Sequence, residues 1–156
     1  MPRSINPAQI FSSSIRQSHG IVHSARARRL VIGGQFGLLP DGAVAEGIEA
    51  QFQAAWDNIT AILMDTGMDI HNLVRICAVV TVPGSIHIHR QALDAVLGGH
   101  RPVVNYMEVC GLAQPEFLVS IEAEAIVEDS DAMFDELPGN GVAASVGTYS
   151  TDSYAI

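Results

Sequence analysis

The chain has eight arginines and no lysine, which limits its chemistry at once. A Schiff-base mechanism needs a lysine amine, and so does a lysine-type phosphate loop, so both are excluded. Arg90 is the most suggestive cation. It lies on a predicted helix, and a guanidinium can hold a carboxylate as a bidentate pair. Its plainer role is an ion pair with Asp94, four residues on. His87 and His89 flank the start of the same helix. They point roughly 200° apart on a helical wheel and cannot share one metal ion. His89 beside Arg90 offers an acid–base group, and a solvated imidazole is its plainer reading. His19 and His23 have the i, i+4 spacing of a helical metal pair, but their surroundings read as arm and strand. Tyr106 can donate its phenol to a carbonyl or stack on a ring. Ser120 is a hydroxyl with no evident base partner, while Glu108 and Glu122 read as structural carboxylates bonded to neighbouring backbone or arginine. Cys77 and Cys110 sit in apolar runs without metal-type spacing and read as free, buried thiols.

The elements that must position these groups follow from hydrophobic period. Leu30-Val31-Ile32 reads as a short strand running into a bend at Gly33-Gly34-Gln35. Residues 47–66 carry Ile48, Phe52, Ala55, Ile59, Leu63 and Thr66 at three- and four-residue spacing, a helix ended by Gly67. Trp56 falls beside that stripe and is expected to edge the core. Leu73 to Val82 alternates as a strand, Pro83-Gly84-Ser85 breaks it, and residues 86–97 form a second helix with Ile86, Arg90, Leu93 and Leu97 on one stripe. Strands follow at 103–109 and 117–127. In the last, Phe117, Val119, Ile121, Ala123 and Ala125 face one way, and Leu118, Ser120, Glu122 and Glu124 the other. This order predicts an α+β fold, a mixed β-sheet with two helices on one face. Residues 1–28 read as an irregular polar arm.

With 156 residues, 48% hydrophobic content and only 16% charged residues, the chain is one globular domain, sparsely charged enough to suggest self-association. A net charge of −9 argues against a nucleic-acid partner. The Arg26, Arg28 and Arg29 cluster reads as a solvated strand entry. No run approaches the ~20 apolar residues of a membrane span, and no signal-peptide core opens the chain, so no membrane partner and a cytoplasmic location are expected. The domain is placed at 1–127, with an acidic and then Gly/Ser/Tyr-rich extension at 128–156 that could pack on a neighbour through Met133, Phe134, Tyr149 and Tyr154.

Four blocks carry a family resemblance. Leu30 to Gln35, Gln51 to Gly67, Val74 to Thr81, and Ile121-Glu122-Ala123 fall in the order and spacing of the Rid family (reactive intermediate deaminases, YjgF or L-PSP endoribonuclease type). Between them, Arg101-Pro102-Val103-Val104-Asn105-Tyr106-Met107-Glu108-Val109 resembles the family's Pro-Ala-Arg-Ser-x-Val-Glu-Val. The resemblance implies a YjgF-like (chorismate-mutase-like) homotrimer with ligand sites in inter-subunit clefts. It also implies cofactor-free, metal-free hydrolysis of imines and enamines such as 2-aminoacrylate.

The chain departs from that pattern where the chemistry lies. Val104 stands in place of the carboxylate-binding arginine, Ser120 in place of the water-orienting glutamate, Tyr106 in place of a Cys or Thr, and Gly20 near the place of a tyrosine. This resembles a subgroup lacking the arginine. The expected function is a trimer binding a small organic ligand, an imine or enamine hydrolase with a site rebuilt from Arg90, Tyr106 and Ser120. Gly20, Gly34, His89, Val104 and Glu122 are expected to line the cleft. A non-catalytic binding or regulatory trimer is the alternative. A ribonuclease role, also attached to the family, fits poorly with the −9 charge and the missing lysine.

Overall fold

A computed structural model describes residues 2–7, 9 and 18–128. The expected extension from 129 onward, with Met133, Phe134, Tyr149 and Tyr154, lies outside the described residues. The elements are β1 (Arg3–Ile5), β2 (Gly20–Val22), β3 (Arg28–Phe36), α1 (Ile48–Asp65), a 3-10 turn (Ile70–Asn72), β4 (Leu73–Val80), α2 (Ile86–Leu97), β5 (Val103–Glu108) and β6 (Val119–Val127). Four strands form one sheet in the order β3-β6-β4-β5. β6 runs antiparallel to both β3 and β4, and β5 runs parallel to β4. The fold is the expected α+β arrangement with a mixed sheet.

Both helices cover one face of this sheet. Phe52, Ile59 and Leu63 of α1 and Leu93 and Leu97 of α2 share a core with Ile76, Ala78 and Val80 of β4 and Val119, Ile121 and Ala123 of β6. The period-2 pattern of β6 therefore has its predicted meaning: its odd-numbered residues bury against the helices. Helix α1 ends as its sequence directs. Gly67 takes φ +70, its N–H bonds to the Met64 carbonyl, and the Met68 N–H bonds to that of Leu63, a Schellman closure.

Four local readings are corrected. The segment 1–28 is not wholly an irregular arm, because β1 and β2 pair as a two-stranded antiparallel sheet. The third strand does not stop at Ile32. It continues to Phe36 through a bulge at Gly33–Gly34, where two residues oppose one on β6. Trp56 is not at the core's edge but inside it, 1% exposed. On α2 it is His89, not Arg90, that joins the buried Leu93 and Leu97, and Arg90 is exposed. His89 also lies three and four residues from Ile86 and Leu93, so the period alone admits either residue. Packing against Phe52 selects the imidazole.

One buried polar side chain ties the loops to this core. Gln51, 2% exposed, donates from Nε2 to the carbonyls of Ala45 (3.1 Å) and Glu116 (2.9 Å) and accepts the Leu118 N–H at Oε1 (2.8 Å). The chain at Gly37 passes so close that an added Cβ would stand 2.4 Å from Gln51 Cβ and 2.6 Å from its Cα. Backbone cannot yield as a side-chain tip can. Gly37→Ala is therefore expected to cost about 2 to 3 kcal/mol, read as a lower urea midpoint with an unchanged slope. A midpoint within error of the parent would contradict this packing.

Candidate functional site

The parallel register of β5 on β4 sets Val104, Tyr106 and Glu108 opposite Ile76, Ala78 and Val80, on the helix-covered face. Val103, Asn105 and Met107 face the open side. At the far end of β5 a compact polar network joins the strand to the turn before α2. Tyr106 Oη lies 3.0 Å from Glu108 Oε1 and 3.0 Å from Ser85 Oγ. Ser85 Oγ donates to the Val82 carbonyl (2.6 Å), and the Gly84 N–H donates to Glu108 (2.9 Å). Two hydroxyl protons thus serve three contacts, so Tyr106 donates to either Ser85 or Glu108 at one time. Burial, with the neighbouring Glu108 charge, holds the Tyr106 phenol above its ordinary range, while the Ser85 hydrogen bond pulls the other way. Tyr106 is a neutral hydroxyl here.

His89 lies directly beneath. Its ring centroid is 5.0 Å from that of Tyr106 and 5.7 Å from that of Phe52. It is 1% exposed, and neither ring nitrogen has a hydrogen-bond partner among the described residues. The solvated imidazole expected from sequence is therefore replaced by a sealed one. Burial first, and the adjacent Arg90 charge second, lower its pKa to about 4. Arg90 itself is exposed and forms no ion pair with Asp94 among the described residues.

Ser120 and Gly34 meet elsewhere. Ser120 is 8% exposed, and a Cβ built on Gly34 would stand 2.6 Å from its Oγ. Ser120 pairs in register with Phe36 and Val79, on the face away from the helices. Glu122 shares that open face with Cys77, whose thiol is held up by burial and then by the Glu122 charge. Gly20 starts β2, two residues after Ser18, which grips the entry of β5 through the carbonyls of Arg101 (2.7 Å) and Pro102 (3.0 Å). Within one chain, then, His89, Val104 and Tyr106 form one group, Gly34, Ser120 and Glu122 a second, and Gly20 a third, while Arg90 is exposed on α2 and makes no hydrogen bond or ion pair with any of them among the described residues. His19 and His23 stand at opposite ends of β2 rather than on a helix, and Cys110 is exposed rather than buried. Among the described residues, no group of three or more His, Cys, Asp or Glu side chains could hold a metal ion.

Sequence reasoning did not find Ser85 or Gly84 as partners of Tyr106. The Pro83-Gly84-Ser85 breaker was the available signal, since a turn before a crossover helix returns to the strand that follows it.

A family model described as endoribonuclease L-PSP matches residues 7–127. The chain belongs to this family, the Rid family. No curated protein matches it. Among solved structures, a Rid protein of unknown function from Yersinia pestis, YyfB, is similar at 27% identity and TM-score 0.73, over 81% of this chain and 98% of that one. A second Yersinia pestis Rid protein, YyfA, is similar at 25% identity and TM-score 0.61, over 81% and 100%. RidA from the Antarctic bacterium Psychrobacter, at 21% identity, TM-score 0.61 and 80% and 99% coverage, shares the Rid fold.

The sealed imidazole gives this Rid domain a predicted acid limit. In the unfolded chain His89 takes up its proton near pH 6.5, while in the fold it does so only near 4. Between these values the unfolded state binds the extra proton, so stability falls as pH drops from about 6.5 to 4, by about 3 kcal/mol in total. His89→Phe is expected to flatten that part of the stability–pH curve in urea titrations. An unaltered slope in the variant would contradict the assignment.

Proposed function

We propose that this Rid protein is a trimer that binds a small amine-derived organic molecule in its inter-subunit clefts and hydrolyses an imine or enamine there. The observation that carries the reading is the helix face of β5. It presents a neutral hydroxyl, Tyr106, beside Val104, with an exposed guanidinium, Arg90, that has no ion pair among the described residues, next along α2 from the His89 that supports Tyr106. The second group, Gly34 and Ser120, lies two strands away on the other face of the same sheet. A neighbouring subunit would bring its own Gly34–Ser120 region to the outer side of β5, joining the two groups into one cleft.

The chemistry needs little. Water adds to the imine carbon, the C–N bond of the resulting carbinolamine breaks, and ammonia leaves with the proton it gains. Tyr106 can donate to the departing nitrogen or hold the attacking water, Ser120 can orient that water, and Arg90 can hold an anionic substrate group from the helix side. His89, sealed and neutral at physiological pH, positions the Tyr106 ring.

An apolar Val104 cannot clamp a substrate carboxylate. Freshly generated 2-aminoacrylate is therefore expected to be turned over about a hundredfold less efficiently than by an arginine-bearing Rid protein, the loss of one charged bidentate contact of about 3 kcal/mol. Arg90→Ala is expected to weaken the carboxylate binding that remains. Efficient 2-aminoacrylate turnover, or carboxylate titrations unchanged in Arg90→Ala, would overturn this site.

One observation favours a second reading, a binding trimer without catalysis. The hydroxyls of Tyr106 and Ser85 are already engaged, with Glu108, the Val82 carbonyl and each other, and Glu108 also takes the Gly84 N–H. Tight ligand binding with no ammonia release from any imine tested would select that reading.

A further inference from the structure

At the other end of β5, about five residues and roughly 17 Å from Glu108, the surface has a different character. Two adjoining cavities, of 340 and 320 Å³, share Ile21 and Val74 in their walls. The join has a structural cause. Between Leu73 and Arg75 the register of β4 on β6 shifts, so Val74 is an extra residue and the strand bulges outward there. β2 contributes Ile21 to both cavities.

The walls are charged in a way the chain as a whole is not. The protein carries −9, yet three guanidiniums, Arg29, Arg75 and Arg101, line these cavities against one lining carboxylate, Glu124. Glu124 is already engaged. Its Oε2 takes the Nε and Nη2 of Arg29 (3.2 and 2.8 Å), and its Oε1 takes a long contact from Arg75 Nη1 (3.4 Å). One carboxylate thus fixes two guanidiniums side by side. Arg75 uses one of its five N–H donors there, and the Arg101 side chain has no hydrogen bond among the described residues. His71 and His100 stand at the Arg101 end, their rings in edge contact at 5.7 Å. Glu128 lies beyond the lining, where the Ser24 N–H bonds to it. The floor between the arginines is aliphatic, formed by Val74, Val103 and Ile126.

We propose that this groove is a second binding site, for a small organic anion with a short apolar portion. Fixed guanidiniums recognise the planar or tetrahedral oxyanion, and the aliphatic floor takes the chain. The cavity volumes lie at the lower end of the range for small-molecule sites, which limits the ligand to a few carbons beyond its head group. The site is separate from the cleft built on Tyr106 and does not depend on that reading.

The test is calorimetric titration of the full-length protein with hexanoate, hexyl phosphate and inorganic phosphate. At least one of the two alkyl anions is expected to bind saturably with a Kd below about 1 mM. Which of them binds tighter identifies the head group. Inorganic phosphate, lacking the chain, is expected to bind about tenfold or more weakly. Arg75→Gln and Arg101→Gln should each weaken the alkyl anion by about tenfold, and Arg28→Gln, whose guanidinium bonds the Thr66 carbonyl outside the groove, should leave it unchanged. Arg101→Gln removes no side-chain hydrogen bond among the described residues, so a native circular dichroism spectrum is expected and its affinity can be read directly. No saturation by about 10 mM, or affinity lost in Arg28→Gln but kept in Arg75→Gln and Arg101→Gln, would overturn the site. Inorganic phosphate binding as tightly as hexyl phosphate would overturn the apolar half of the assignment.

Discussion

The parallel pairing of β4 with β5 is the constraint from which most of the structure follows. Two parallel neighbours cannot be joined by a tight turn, so the chain must cross the sheet between them, and here α2 is that crossing. The crossing lays α2 over β5 and brings the imidazole of His89 down onto the ring of Tyr106. It also returns the Gly84–Ser85 turn to the far end of β5, where Glu108 and Tyr106 meet it. A hairpin in its place would have produced a sheet of similar content with none of these contacts. The candidate cleft is thus a by-product of topology before it is a matter of side-chain choice.

Polar groups inside this fold are treated in two opposite ways. Gln51 has three hydrogen bonds and holds two loops to α1, so its burial costs little. His89 has none, and Trp56 Nε1 is likewise without a partner among the described residues. A buried donor left unmade costs on the order of 1 to 3 kcal/mol. An imidazole kept where a leucine would pack more cheaply suits a site that needs a flat ring under Tyr106. The same burial removes His89 from proton transfer near neutral pH.

The frame was legible from hydrophobic period because its residues obey one rule at a time. The alternating residues of β6, the α1 stripe and the Gly67 stop each report directly on burial or on a required φ. What stayed hidden were features set by two distant segments together. Whether His89 or Arg90 turned inward depended on Phe52, thirty-seven residues earlier. The burial of Gln51 depended on carbonyls at 45 and 116, and a glutamine on a helix gives no sign of that. The bulge at Val74, the second residue of β4, left no mark in a sequence that alternates from Arg75 onward. The arginines that share Glu124 come from β3 and β4, so their meeting required the sheet order.

The sheet order also leaves two outer rims. In β3-β6-β4-β5 the first and last strands each have a neighbour on one side only among the described strands. β3 is blunted by its Gly33–Gly34 bulge, which breaks the regular ladder that a foreign strand would need. β5 has no bulge. Pro102 removes an N–H just before it, and Arg101, Asn105 and Glu108 set polar groups along it, yet between them run Val103, Val104 and Met107. An apolar Val104 therefore has a colloidal side. Between Arg101 and Glu108 this edge strand carries no gatekeeper charge, so edge-to-edge pairing through that rim is opposed less than it would be with a charged side chain at position 104.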